Sequence, residues 1–125
     1  MKRGPRICVK RDQESTVGRG CVLHAAHFRP ELAAVVVAAA ELAPPEVEQV
    51  WLVEGWRDIR DTPDRHETLD ALDIVGTDGK GQRFLTSRQY VAWSQRVSSR
   101  LGDRYDVLAH DAGSGWHIHA EWDPK

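Results

Sequence analysis

The sequence predicts an α+β fold, a single domain built on a small, mostly antiparallel sheet with flanking helices. Three observations lead there. The chain has 125 residues, enough for one hydrophobic core but not for two. After a first helical segment, its periodic stretches run strand, strand, helix, strand, strand, an order that suits an antiparallel sheet with helices packed on it. The last two strand-like stretches are separated by the Gly-containing turn Asp111–Gly115, the signature of a hairpin.

The elements follow in order. Residues 1–20 are polar and Gly-rich, with room for a short strand at Ile7–Lys10. Pro30 to Leu42 reads as a helix: Pro30 suits the first turn, Glu31 favours the dipole there, and Pro44 and Pro45 stop the helix after Ala43. Within Val47–Arg57, Val50, Trp51, Leu52 and Val53 form a buried strand. Asp58–Asp64 is a polar loop. Ala71–Val75 is a second strand, ending in the turn Gly76–Gly81, whose glycines are those of a turn and not of a nucleotide-binding loop.

Thr86 or Ser87 caps a helix that runs to Leu101, with Gly102 placed for a C-terminal cap. Tyr90, Val91, Trp93, Val97 and Leu101 fall mostly on one face of it. Tyr105–Ala109 and Trp116–Trp122 then form the hairpin. Most of the five tryptophans belong to the core, with Trp56 placed to line a cleft.

Bulk properties narrow the function. A formal charge of −2 gives no global basic field for nucleic acid, and the basic run Lys2, Arg3, Arg6, Lys10 and Arg11 reads as a solvated terminus. No stretch approaches the ~20 apolar residues needed to span a bilayer. No apolar segment follows the N-terminal charges, so the expectation is a chain made in the cytoplasm without a signal peptide. Cys8 and Cys21 are too few for a disulfide scaffold.

The last strand carries the chemistry. Side chains alternate between sheet faces, so Trp116, Ile118, Ala120 and Trp122 share one face while His117, His119 and Glu121 share the other. The first face is core; packing does not require two imidazoles and a carboxylate on the second. A zinc enzyme uses about three protein ligands and a water, with His and Asp as suitable donors. The segment Arg65–Asp73 offers partners. His66 stands on the loop before a strand, and Asp73 lies in that strand on the face of Ala71 and Val75, aimed toward the same cleft. Cys21, His24 and His27 make a looser cluster, without a fourth ligand or a recognised spacing, and read as a loop leading into the first helix. His110 reads as a surface position of the hairpin.

The pattern His66-x6-Asp73 followed by Trp116-His117-x-His119 resembles the zinc peptidases that group lysostaphin, the D-Ala-D-Ala carboxypeptidases and the hedgehog signalling domain. The carboxypeptidase and phage endolysin branch shows Ser-x-His-x-x-Gly-x-Ala-x-Asp, preceded by a strand ending in Gly-Tyr-Arg. Here the corresponding residues run from Asp64 to Asp73, preceded by Gly55, Trp56 and Arg57, with Asp64 in place of the Ser and Leu69 in place of the Gly. The likeness spans about Val47 to Trp122.

The resemblance implies a hedgehog-like fold, one Zn2+ ion held by His66, Asp73 and His119, and a catalytic His117 with Glu121 as second choice of base. It also implies that Arg57, with Trp56 beside it, receives a substrate carboxylate. The activity it implies is that of a peptidoglycan peptidase, a D,D-carboxypeptidase or an L-Ala-D-Glu endopeptidase, monomeric and acting on stem peptides. Such an enzyme would reach the wall by phage lysis or on a virion. The alternative on the same fold is a zinc-binding interaction or structural module that does not cleave.

Overall fold

The computed structural model describes residues 4–9, 30–54, 71–111, 113 and 115–123. These form five strands and two helices: β1 (Arg6–Val9), α1 (Glu31–Leu42), β2 (Gln49–Glu54), β3 (Ala71–Thr77), α2 (Ser87–Leu101), β4 (Tyr105–Asp111) and β5 (Trp116–Trp122). The sheet order is β1-β2-β3-β5-β4. Every neighbouring pair is antiparallel except β1 and β2, which run parallel. The class is α+β.

The narrower hedgehog-like arrangement implied by the resemblance is not reproduced. β1 adds a parallel edge to the sheet, and both helices pack on one face and against each other. α1 has an apolar stripe of Leu32, Val35, Ala38 and Ala39, and α2 offers Tyr90, Trp93 and Val97. These close on Val50 and Leu52 of β2, Leu72 and Ile74 of β3, and Ile118 and Ala120 of β5. Burying large apolar side chains of this kind contributes ~1.5–3 kcal/mol each, which fixes this face as the core. Val91, expected on the buried side of α2, is 38% exposed; it lies one residue from Tyr90, about 100° around the helix.

Side-chain bonds secure the layer. Thr86 and Gln89 form a capping box at the start of α2. The Trp93 indole donates to the Ala39 carbonyl at 3.1 Å, and the Arg96 guanidinium donates to the Leu42 carbonyl, covering a helix end that has no intrahelical partner.

β3 is third of the five strands and is buried along its whole length. Its pairing with β5 runs from Ala71↔Glu121 to Ile74↔Ile118 and stops there. Beyond that point the Tyr90 hydroxyl accepts the Gly76 N–H, and Arg83 Nη1 donates to the Trp116 carbonyl at 2.8 Å. The sheet thus opens between β3 and β5 beside His117, and two side chains satisfy the backbone at the opening. No described helix is long and apolar enough to cross a membrane.

Candidate functional site

The face of the sheet opposite the helices holds the polar cluster. Antiparallel register places Asp73 of β3 directly across from His119 of β5, and His110 of β4 directly across from His117. Directly opposed residues have Cβ atoms ~4.5–5.5 Å apart, so four polar side chains on three strands come within reach of one another.

Asp73 is the hub. Its Oδ1 lies 2.8 Å from His119 Nδ1 and its Oδ2 lies 3.8 Å from His117 Nε2. His119 is also flanked by Glu121, whose Oε1 stands 3.5 Å from Nε2. His117 Nδ1 lies 3.3 Å from the Gly115 carbonyl. A carbonyl can only accept, so Nδ1 donates in this contact, and Nε2 is turned toward Asp73. Asp73 and His117 are 9% and 7% exposed, so the cluster is largely removed from water.

Burial acts to lower the pKa of the His119 imidazole. The hydrogen bond and charge of Asp73, joined by Glu121, outweigh it and hold the ring above its ordinary value. His110 is shifted the other way. Burial first, then the neighbouring His117 and His119, push it below the ordinary value against a weaker pull from Asp73 and Asp111.

His110 was legible only as a hairpin surface position. The structure sets its ring 4.4 Å from that of His117, centroid to centroid, with the planes at 60°, and 6.3 Å from that of His119. Register across the Asp111–Gly115 turn was the available signal: a hairpin that pairs Asp111 with Trp116 necessarily pairs His110 with His117.

Asp73, His117, His119 and Glu121 are therefore brought together. His66, Arg57 and Trp56 lie outside the described residues, as do Asp64, Leu69 and the Cys21, His24 and His27 cluster. Two zinc donors at ~2.0–2.2 Å from a tetrahedral ion stand ~3.3–3.5 Å apart. Asp73 Oδ1 and His119 Nδ1 would open by about half an ångström to admit one, and the donor types fit. Among the described residues no group of three or more His, Cys, Asp or Glu side chains could hold a metal ion. No family model, curated protein or solved structure matches the chain.

Proposed function

We propose that the chain is a zinc-dependent peptidase acting on peptidoglycan stem peptides, as a D,D-carboxypeptidase or L-Ala-D-Glu endopeptidase in phage lysis or on a virion. The observation that carries the reading is the Asp73–His119 contact of 2.8 Å, with His117 Nε2 turned to the same carboxylate. The pattern of His66, Asp73 and the His117–His119 pair supports it from the sequence side.

In this reading His66, Asp73 and His119 would hold the ion. Zinc supplies Lewis acidity when bound, polarising a carbonyl and bringing the pKa of its water to ~7. Glu121 stands beside Nε2 of His119, the orienting contact that metal-ligating histidines commonly have, and so would leave Nδ1 to the ion. The Gly115 carbonyl does the same for His117, whose Nε2 accepts a proton from the attacking water and returns it to the leaving amine. Arg57 receives the substrate carboxylate in a two-pronged contact, with Trp56 beside it.

The test is zinc content measured together with muropeptide release from purified cell walls. One zinc per chain, with release abolished by chelation and restored by zinc, is the expected result. A chain that binds no zinc overturns the reading. Asp64 and Leu69, which depart from the family pattern next to His66, favour a second reading in which the same ion is held by a non-catalytic binding or structural module. Stoichiometric zinc without release from several wall chemotypes selects it.

A further inference from the structure

We propose that the chain pairs with a second copy of itself through the outer edge of β4, in antiparallel register about a two-fold axis at Leu108. The pairing does not rest on the zinc reading above.

The sheet order leaves β1 and β4 at its two edges. The edge at β1 is a strand of four residues that follows Pro5 and begins with the charged Arg6. Proline, charge and shortness are the usual devices that keep an edge from pairing with another chain. β4 lacks all three at its exposed edge. It runs for seven residues in unbroken register with β5 and holds no proline, lysine or arginine.

Backbone parity shows which groups this edge presents. The Asp123 N–H donates to the Arg104 carbonyl, so Arg104 and every second residue after it turn their backbone groups toward β5. Tyr105, Val107, Ala109 and Asp111 therefore turn theirs outward. The Tyr105 N–H donates to the Gly102 carbonyl. Among the described residues, nothing hydrogen-bonds to the outward groups of Val107, Ala109 and Asp111. An axis at Leu108 sets Val107 opposite Ala109 of the second copy and Asp111 opposite Tyr105, for about six backbone hydrogen bonds.

Side chains select that axis. Asp106, Leu108 and His110 lie on the face that carries His117 and His119. With the axis at Leu108, Asp106 of each copy stands across from His110 of the other. A carboxylate has room for more than one donor, and a neutral imidazole always carries one N–H, so the two are complementary. Leu108, 46% exposed, meets its own copy at the axis and is covered there. Moving the axis by one residue sets Leu108 against Asp106 or His110 and loses both matches.

The other face of the edge agrees. α2 is the helix that packs on β4, while α1 lies toward β1 and β3. Arg96 and Arg100 bond to the end of α1. Val91, about 140–180° around the helix from them, is exposed on the flank nearer the free edge. An exposed apolar side chain thus borders the edge on each face. Pairing joins the two five-stranded sheets into one, with both His117–His119 clusters on the same side. One strand from each copy buries less than ~1,200 Å², the range of weak, reversible association.

The experiment is sedimentation equilibrium of the full chain under reducing conditions, from ~10 μM to ~1 mM. Wild type, Leu108→Lys and Ala109→Pro are compared, with circular dichroism confirming that each is folded. Leu108→Lys changes an exposed side chain and sets like charges against each other at the axis. Ala109→Pro removes an outward N–H and leaves the β4–β5 ladder its donors. The expected result is a monomer–dimer equilibrium in wild type, weakened at least ~tenfold in both variants. Wild type that stays monomeric to ~1 mM overturns the proposal, as does a dimer whose affinity neither substitution changes. Zinc content and muropeptide release are read separately, so either proposal can fail without the other.

Discussion

The carbonyl of Gly115 lies 3.3 Å from Nδ1 of His117, two residues further along the chain, and Gly115 reaches that position at φ +109°. Such a backbone strongly favours glycine. A Cβ there would also stand 2.9 Å from Arg83 Nη1, the group that donates to the Trp116 carbonyl. Gly115→Ala should therefore cost ~1–3 kcal/mol in denaturant unfolding. It should also shift the ring 15N resonances of His117 as the tautomer loses its anchor. Unchanged His117 resonances would show that Gly115 does not set the tautomer.

Substitutions in the cluster should separate metal binding from turnover. His119→Ala is expected to lose the ion proposed at Asp73 together with all muropeptide release. His117→Ala should keep that ion while release falls by ~10²–10⁴-fold, the usual worth of a general base. Metal analysis beside an activity assay checks both, and full zinc retention at this site by His119→Ala would remove it as a ligand.

In metal-free protein, His119 and His110 should titrate on opposite sides of their common ordinary value of 6.5. The folded pKa of His119 is raised. Its contribution to stability is thus fully present below about 6.5 and lost as pH rises through the folded value. The folded pKa of His110 is lowered, so its contribution is present above about 6.5 and lost as pH falls through the folded value. NMR titration of the two rings reads the order directly; His110 titrating above His119 would contradict the cluster geometry.

The helix layer should respond to loss of one hydroxyl. Tyr90→Phe leaves the buried Gly76 N–H without the acceptor that holds it at 3.2 Å, a loss of ~1–3 kcal/mol in unfolding free energy. In wild type, burial raises the Tyr90 pKa above 10.0, outweighing the Gly76 N–H and Arg83. Its stabilisation is therefore full below pH 10 and declines as pH rises toward the folded value, a decline that Tyr90→Phe should not share.

Trp93 is fully buried and donates to the Ala39 carbonyl. Trp93→Ala should cost ~3–5 kcal/mol, the range for emptying a large aromatic from a core. Thermal unfolding measures it, and a loss under ~1 kcal/mol would mean that α1 and α2 do not meet there.

Much of this was legible residue by residue. The limits of α2 follow from Thr86 or Ser87 and from Gly102, and they match the helix observed from Ser87 to Leu101. The division of β5 into an apolar face with Ile118 and Ala120 and a polar face with His117 and His119 follows from strand alternation. The parallel pairing of β1 to β2 was not legible, because it depends on which distant segment lies alongside and no local period encodes that. His110 is different: its place beside His117 follows from the register of the Asp111–Gly115 hairpin.

The sequence by itself determined the alternation that puts His117, His119 and Glu121 on one side of β5, because a strand's side chains turn over every residue whatever surrounds it. Only the tertiary structure decided that β3 lies next to β5, which sets Asp73 2.8 Å from His119, and that both helices cover the opposite face. Those outcomes come from pairing and burial between segments far apart in the chain. Their free energy is realised only when the whole sheet closes on one core.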